Sequence, residues 1–351
     1  MTAPRIWIRH ESRDSERRAP VVPDDARRLV EAGVAVTVED SPQRSFGSDA
    51  YAAAGCAIAP AGSWVDAPDD WYVVGLKELP EQPPALRHRH VFFGHAYKGQ
   101  VGAAELLRRF GDGGGALLDL EYLVDDAGRR LAAFGYWAGY VGAALAVLRD
   151  RGALPSRLEP LSRPELDGRL ARAGATDTTA LVLGSLGRCG RGARDAFAVA
   201  GITATGWDLA ETRDLDRAAL LDHHLLVNAV QVSTPGPVFV RPQDLDDPVR
   251  QLRVIADVTC DVTSDCNVLP IYDTVTSWDA PVRQLRGGDR PLGLIAIDNL
   301  PSLLPREASI AFSAELTPQL ATLGTDAPAW RRCRTTFDTA LAGASRTRGE
   351  P

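Results

Sequence analysis

The sequence predicts an α/β protein made of two Rossmann-like doubly wound domains with a cleft between them, and three observations carry that expectation. Short β-branched or aromatic runs alternate with helical patterns along the first third of the chain. The alternation resumes at Ala180 after an irregular stretch, and there an apolar strand runs straight into a glycine-rich turn and a helix start. At 351 residues the chain is too long for one ordinary core and suits two packed domains.

The elements follow in order. Residues 5–9 (RIWIR) read as a strand, Pro23-Asp24-Asp25 opens a helix that Gly33 closes, and residues 34–39 (VAVTVE) read as the next strand. Residues 71–76 (WYVVGL), 91–94 (VFFG) and 116–120 (ALLDL) are further strand candidates, each followed directly by polar or charged residues. Residues 135–148 (GYWAGYVGAALAVL) read as a helix whose small residues permit close packing on a neighbouring sheet. Residues 149–179 are rich in Pro, Arg, Glu and Gly and read as a connection rather than core. Strand candidates then fall at 180–183, 203–207, 224–230, 254–258 and 292–297, and helical patterns at 301–323 and 327–341 close the chain. The expected division is 1–134 plus 310–351 as a substrate-binding domain and 135–309 as a dinucleotide-binding domain.

Composition narrows the partners. A net charge of −7 disfavours phosphate backbones and anionic membranes, so small molecules are expected rather than nucleic acid or lipid. The nearly apolar run 135–148 is shorter than the roughly 20 residues a spanning helix needs. The N-terminal residues hold no apolar leader core, and a cytoplasmic location is expected. Cys56, Cys189, Cys260, Cys266 and Cys333 are odd in number and contain no CxxC pair, which argues for reduced thiols and against a disulfide framework or zinc knuckle. Of 39 basic residues only Lys77 and Lys98 are lysines. A group that must release a proton cannot be arginine, so these two become candidates for chemistry, against the alternative that they are chance survivors of an arginine-rich composition.

The segment that follows the strand at 180–183 places Gly184, Gly187 and Gly190 in a GxxGxxG spacing. Such a loop gives a tight turn, close backbone approach to a pyrophosphate, and a helix N-terminus that favours anions. Asp208 follows the next strand 24 residues after Gly184, where a carboxylate accepts ribose hydroxyls and repels a 2′-phosphate. This favours NAD over NADP. The competing reading of Asp208 is a helix N-cap.

In the first domain Lys77, Glu78, His95, Lys98 and Glu121 all lie just past strand candidates, where ligands bind in open parallel sheets. Singly, each has an ordinary explanation: a solvated lysine, a core histidine, a glutamate capping a helix. Their shared address favours a site. His88 and His90 alternate with arginines that repel a dication, and no metal is expected. His223-His224 reads as structural, and His10 as lining the cleft without reacting.

These residues fall within motifs that run through nearly the whole chain: VEDSPQ at 38–43, PAGSW at 60–64, GLKE at 75–78, HAYK at 95–98, DLE at 119–121, GRR at 128–130, AAFG at 132–135, LGRCG at 186–190 and LPSLLPREAS at 300–309. In them, from Ile6 to about Phe337, the sequence resembles the fungal-type, L-lysine-forming saccharopine dehydrogenases, relatives of alanine dehydrogenase. The resemblance implies NAD-dependent oxidation of saccharopine to an imine and its hydrolysis to L-lysine and 2-oxoglutarate. It implies Lys77 as acceptor of the secondary-amine proton and His95 as the group that assists water addition and carbinolamine breakdown, with Glu78 and Glu121 supporting. It further implies a basic pocket of Arg18, Lys98, Gln100, Arg130 and Phe134 for a substrate with three carboxylates. On the cofactor side it implies Arg188, Cys189, Asp208, Thr212, Gln231, Val258, Ile297, Asp298, Asn299 and Leu300, with Arg129 from the first domain.

Three positions depart from the family pattern: Arg13 stands where it has Lys, Gln231 where it has Tyr, and Asn299 where it has His. Two other readings stand beside this one. The first is a related amino-acid or opine-type dehydrogenase that couples another amine to a 2-oxo acid, and the second an NAD-binding sensor with no turnover.

Overall fold

The computed structural model describes residues 3–174, 177–232, 234–262 and 265–346. The chain divides into two compact units, Met1–Ala133 with Ala308–Pro351, and Phe134–Glu307.

In the first unit β1 (Arg5–Ile8) leads to α1 (Pro23–Glu31), β2 (Ala35–Glu39), α2 (Ser48–Ala53), β3 (Ala57–Ala59), β4 (Tyr72–Val74), β5 (Arg89–Phe92), α3 (Ala103–Gly113) and β6 (Ala116–Asp119). The strands form one sheet in the order β3-β2-β1-β4-β5-β6, with every pairing parallel. The order reverses between β1 and β4, which makes their carboxyl ends the topological switch point where such sheets bind ligands. Central strands covered on both faces must be apolar throughout, and β4 and β6 are buried at every position. The edge strand β3 is short and largely exposed, which is why its three residues carry no strand signal in the sequence.

The second unit holds α4 (Gly135–Asp150), α5 (Arg163–Arg172), β7 (Ala180–Leu183), α6 (Arg188–Val199), β8 (Thr205–Trp207), α7 (Leu209–Arg213), α8 (Arg217–Leu221), β9 (Leu225–Asn228), β10 (Val254–Asp257), β11 (Arg283–Arg286) and β12 (Leu292–Ile295). Its sheet runs β11-β12-β10-β9-β7-β8, parallel except for the edge pairing of β11 with β12. Here the order reverses at β7, between β8 and β9.

The stretch 149–179 is more than a connection. Ser162 and Glu165 form a reciprocal capping box that starts α5, and Leu166 and Leu170, one turn apart, are buried. High Arg and Pro content hid a helix whose apolar face is only two residues wide. The edge strand β11, polar and partly exposed, likewise leaves no apolar run to detect.

The last two helices are α9 (Pro305–Leu320) and α10 (Pro328–Arg346), and from Ala308 onward they belong to the first unit. Two serines one turn apart on α9 explain this attachment. Ser309 Oγ accepts Ala19 N–H at 2.8 Å, and Ser313 Oγ accepts Val22 N–H at 2.9 Å while donating to Asp25 at 2.5 Å. They satisfy backbone donors at the α1 N-terminus that the helix itself cannot pair. Cys333 and Phe337 of α10 are buried, the latter in the core with Phe92 and Phe110. His88 and His90 lie inside β5 or beside it, both buried. His90 sits among aromatic rings, 5.1 Å from Trp64 and 5.5 Å from Phe110. Among the described residues no group of three or more His, Cys, Asp or Glu is placed to hold a metal ion, and no helix is long and apolar enough to cross a membrane.

Helix α4 is buried around most of its circumference and its small residues meet a helix as well as the sheet. A Cβ on Gly139 would lie 1.8 Å from the Cys189 carbonyl oxygen of α6, and one on Gly192 of α6 would lie 1.9 Å from the Tyr136 carbonyl oxygen. The two backbones touch, so no larger residue fits at either crossing point. Gly192→Ala is expected to lower stability by about 1–3 kcal/mol, because backbone cannot swing aside. Gly287→Ala, where no atom lies within 4 Å of the new methyl, should stay within about 0.5 kcal/mol of the parent. Thermal melting of both variants checks the contrast.

Candidate functional site

At the carboxyl edge of the first sheet, the loops after β1, β4, β5 and β6 carry the candidate side chains. Lys77 and Glu78 follow β4, His95 and Lys98 follow β5, and Glu121 lies in a short 3₁₀ turn, Leu120–Tyr122, after β6. Backbone hydrogen bonds hold each turn. Asp119 caps the 3₁₀ turn through Glu121 N–H at 2.9 Å, and Gln100 Oε1 accepts Lys98 N–H at 2.8 Å. His95 itself has φ of 49°, a left-handed conformation rare outside glycine, so local contacts hold it there against its intrinsic preference.

His95 Nδ1 lies 3.6 Å from the Glu121 carboxylate. Glu121 raises the imidazole above its ordinary value; burial and Lys77 oppose the shift and Asp119 adds to it. Reciprocally, Glu121 is lowered, first by His95 and further by Lys98 and Arg130. Asp119 behaves differently: burial pushes its carboxyl up to about 6, with the nearby Glu121 charge adding. Its Oδ2 has no hydrogen-bond partner among the described residues. For Glu78, burial would raise the carboxyl, but the Arg13 guanidinium, hydrogen-bonded to it, holds it below the usual range.

Arg18 is buried in a forked pair with Glu16, at 2.8 and 2.7 Å. Burial raises Glu16, but Arg18 outweighs it, Lys77 adds to the lowering, and the net shift is downward. Lys77, Glu78, His95, Lys98, Glu121, Arg130 and the Glu16–Arg18 pair therefore share one electrostatic neighbourhood. Arg129 sits in an exposed turn of the same unit and pairs with Asp125 at 2.9 Å.

The glycine loop of the second unit lies at that sheet's switch point, after β7. Gly184 has φ of 74°, and a Cβ there would meet the Ala229 carbonyl beyond β9 at 3.0 Å. A Cβ on Gly190 would lie 2.2 Å from the Gly184 carbonyl, so the loop closes tightly onto the first turn of α6. Gly187 is the N-cap of α6, and Arg188 and Cys189 open the helix. Asp208 follows β8 and is the N-cap of α7, accepting Leu209 N–H; its other oxygen accepts Leu186 N–H of the glycine loop at 3.0 Å. It is thus a cap and also a tie between the loop and β8. Thr212 is buried, its hydroxyl donating to the Asp208 carbonyl at 2.8 Å. Phe134, at the N-cap of α4, belongs to this unit. Gln231 and Asp298 are exposed on loops past β9 and β12, while Ile297 and Leu300 are buried. Val258 continues past β10, its N–H bonded to the Asn228 carbonyl, and Asn299 immediately precedes the 3₁₀ turn Leu300–Leu303.

A glycine loop that a Cβ at Gly184 or Gly190 would crowd, a helix that begins at its end and a carboxylate at the end of the second strand fit a dinucleotide.

Several residues of this architecture escape a sequence reading. Glu39, fully buried, accepts Trp7 Nε1–H, His10 N–H, Gly62 N–H and Trp64 N–H. Asp257 accepts Asn228 at 3.0 Å, Thr259 at 2.7 Å and Tyr272 at 2.7 Å. A usable signal exists: Glu39, Asp119, Asn228 and Asp257 are each the polar last residue of a largely apolar strand.

By fold this is an alanine-dehydrogenase-like pair of doubly wound units. Residues 7–141 match the family model "Alanine dehydrogenase/PNT, N-terminal domain", and a solved L-alanine dehydrogenase superposes with a TM-score of 0.68 at 17% identity, covering 98% of this chain and 99% of that one. The sequence is 42% identical to a saccharopine dehydrogenase [NAD(+), L-lysine-forming] of Neurospora crassa, covering 96% of each chain. It is 39% identical to the protein of that name from Schizosaccharomyces pombe, covering 97% of this chain and 99% of that one. The chain belongs to the NAD⁺-dependent, L-lysine-forming saccharopine dehydrogenase family.

The ion pair sets a pH window. His95 is raised above 6.5, so its share of the stabilisation is present below that value and is lost as pH rises through the raised one. Glu121 is lowered below 4.5, so its share is present above that value and is lost as pH falls through the lowered one. Glu121→Gln is therefore expected to cost most stability between those limits and little in alkaline solution. An NMR titration of the His95 ring proton should move to lower pH in this variant, and an unmoved midpoint would remove Glu121 as the cause.

Proposed function

We propose that this chain catalyses the NAD-dependent oxidative cleavage of saccharopine to L-lysine and 2-oxoglutarate, and the reverse reductive coupling. The observation that carries the reading is the similarity, over almost the entire length of both chains, to relatives named for that activity. The clustering of Lys77, His95 and Glu121 at one sheet edge supports it.

In the cleavage direction Lys77 accepts the proton of the secondary amine. Lysine suits this step because it can shed a proton, which arginine cannot. Held by the glycine loop at 184–190, NAD⁺ would supply the hydride acceptor through which the glutaryl C–N bond is oxidised to an imine. His95, with Glu121 behind it, takes a proton from the water that adds to the imine, returns it to nitrogen, and then takes the hydroxyl proton as the C–N bond breaks and the carbinolamine collapses. Glu121 keeps the imidazole oriented and stabilises its charged form, while Asp119, buried beneath, holds the Glu121 backbone.

The three carboxylates of saccharopine call for cations in an acidic protein. Arg18, Lys98 and Arg130, with Gln100 and Phe134, are assigned to them; Glu16 holds the Arg18 fork in a fixed plane. On the cofactor side, Gly184, Gly187 and Gly190 give the pyrophosphate room, and Arg188, Cys189 and Asp208 lie at the ribose and phosphate end. Thr212, Gln231, Val258 and the run from Ile297 to Leu300, with Arg129, complete the assigned contacts. The unit Met1–Ala133 with Ala308–Pro351 is assigned to the substrate and the unit Phe134–Glu307 to NAD. The thiols of Cys56, Cys260 and Cys333, none of them in a disulfide, support a cytoplasmic setting, and the reaction itself a role in lysine biosynthesis.

Oxidation of NADH with 2-oxoglutarate and a panel of amines tests the reading. Rapid turnover confined to L-lysine is expected; preference for L-ornithine or ammonia would move the function to another amine, and silence with all amines despite NADH binding would leave a sensor. Lys77→Met is expected to reduce kcat by about 10²–10⁴-fold and to abolish one limb of the pH–rate profile.

A further inference from the structure

The backbone around Lys77 is held by two buried charged groups on the loop that follows a different strand. β1 ends at Ile8, and the next residues, Arg9 and Glu11, are 1% and 3% exposed. They pair with each other at 3.3 Å. Glu11 accepts Leu76 N–H at 2.7 Å through Oε1 and Lys77 N–H at 3.0 Å through Oε2. Arg9 Nη2 donates to the Lys77 carbonyl, and Ser12 Oγ donates to the Glu78 carbonyl at 3.1 Å.

Successive N–H groups in a strand point to opposite sides. Along β4 the alternation holds as far as Gly75, whose N–H goes to Val91 of β5, and Leu76, whose N–H turns the other way to Glu11. It fails at Lys77, whose N–H also points to Glu11. Two consecutive N–H groups aimed at one carboxylate make a small anion-binding concavity, and this is what ends the strand and turns residue 77 out at the switch point. The clamp is itself anchored. Arg44 donates to the Arg9 carbonyl at 3.0 Å and to the Glu39 carbonyl at 2.9 Å, and Glu39 accepts His10 N–H at 2.8 Å.

Gly75 belongs to the same device. A Cβ there would lie 2.4 Å from Arg9 Nε, so the GLKE motif needs glycine to admit the guanidinium over the sheet edge, where it also covers the Phe92 ring at 5.7 Å. A buried ion pair is weak evidence for stability, since apolar residues of similar volume often do as well. Its value here is directional: one partner fixes the N–H of a single residue and the other its C=O. The opposite charges cancel locally, so the clamp orients Lys77 without adding net charge beside it.

We infer that the Arg9–Glu11 pair, with Gly75 making room for it, is a positioning device that fixes the direction of the Lys77 side chain and hence its proton transfer. The inference rests on the reading of Lys77 as the proton acceptor.

Steady-state kinetics of the holoenzyme test it, with Glu11→Gln, Glu11→Asp, Arg9→Lys, Gly75→Ala and Lys77→Met measured side by side. Glu11→Gln keeps the volume but replaces one acceptor by a donor; Gly75→Ala displaces the guanidinium while leaving both charges. Misplacement of a reacting group by about 1 Å can cost 10²-fold, so kcat is expected to fall about 10- to 100-fold in Glu11→Gln and Gly75→Ala. The KM for NADH should not change, the pH limb that disappears in Lys77→Met should shift, and Glu11→Asp should restore part of the rate. Arg9→Lys keeps the charge and serves if Glu11→Gln does not fold. A limb lost in Lys77→Met but unmoved in the clamp variants would overturn the clamp alone. Parallel losses of kcat, NADH binding and melting temperature would also overturn it, as a merely structural role. A limb that survives Lys77→Met would instead overturn the proton-acceptor reading.

Discussion

A parallel sheet that ends inside a protein leaves a row of backbone donors and acceptors beyond its last paired residues, and each must find a partner or pay a desolvation penalty of about 1–3 kcal/mol. In the first unit these groups are met by buried carboxylates. Glu39 takes four donors from two segments, residues 7–10 and 62–64, and Glu11 takes two from the loop after β4. Charge-assisted bonds of this kind are about twice as strong as neutral ones. The loops that carry Lys77 and His10 are therefore fixed by electrostatics from within the sheet edge. The arginines Arg9, Arg18 and Arg44 are equally buried, and each is bonded to a carboxylate or to backbone carbonyls.

The same edge separates its acids by environment. Glu121 faces a histidine and two further cations and stays ionised, whereas Asp119, two residues earlier and fully buried, is pushed up to about 6. One 3₁₀ turn thus holds two carboxyl groups with opposite tendencies, because one points to the cations and the other into the core. His95, strained at positive φ, is drawn to the ionised one. His95, Glu121 and Glu78 are each shifted by a neighbour on a different loop, which is why such couplings are invisible in the order of residues along a chain.

The second unit solves a different problem, that of bringing backbone into contact with backbone. Glycine at 139 and 192 lets α4 and α6 touch, and glycine at 184 and 190 lets the loop close on the start of α6. Asp208 then ties loop to strand while capping α7. Cap and tie are compatible, since the two oxygens of that aspartate accept from different backbone donors.

How much of this was legible in the sequence differs by element, for physical reasons. Strands β1, β2, β7, β9, β10 and β12 were visible because strands covered on both faces must be apolar, and α1 because its proline, acids and glycine mark its ends. The positions of Lys77, His95, Glu121 and the glycine loop at strand ends were also set by sequence, since parallel connectivity puts every such end on one edge. The edge strands β3 and β11 and the polar helix α5 gave no periodic signal, because water rather than a core faces most of their side chains. The Arg9–Glu11, Glu16–Arg18 and His95–Glu121 pairings, and the burial that lifts Asp119, were decided only by the tertiary structure. A sequence states which groups are charged; how strongly they act on one another depends on distances and on the exclusion of water, and both exist only once the sheet has formed.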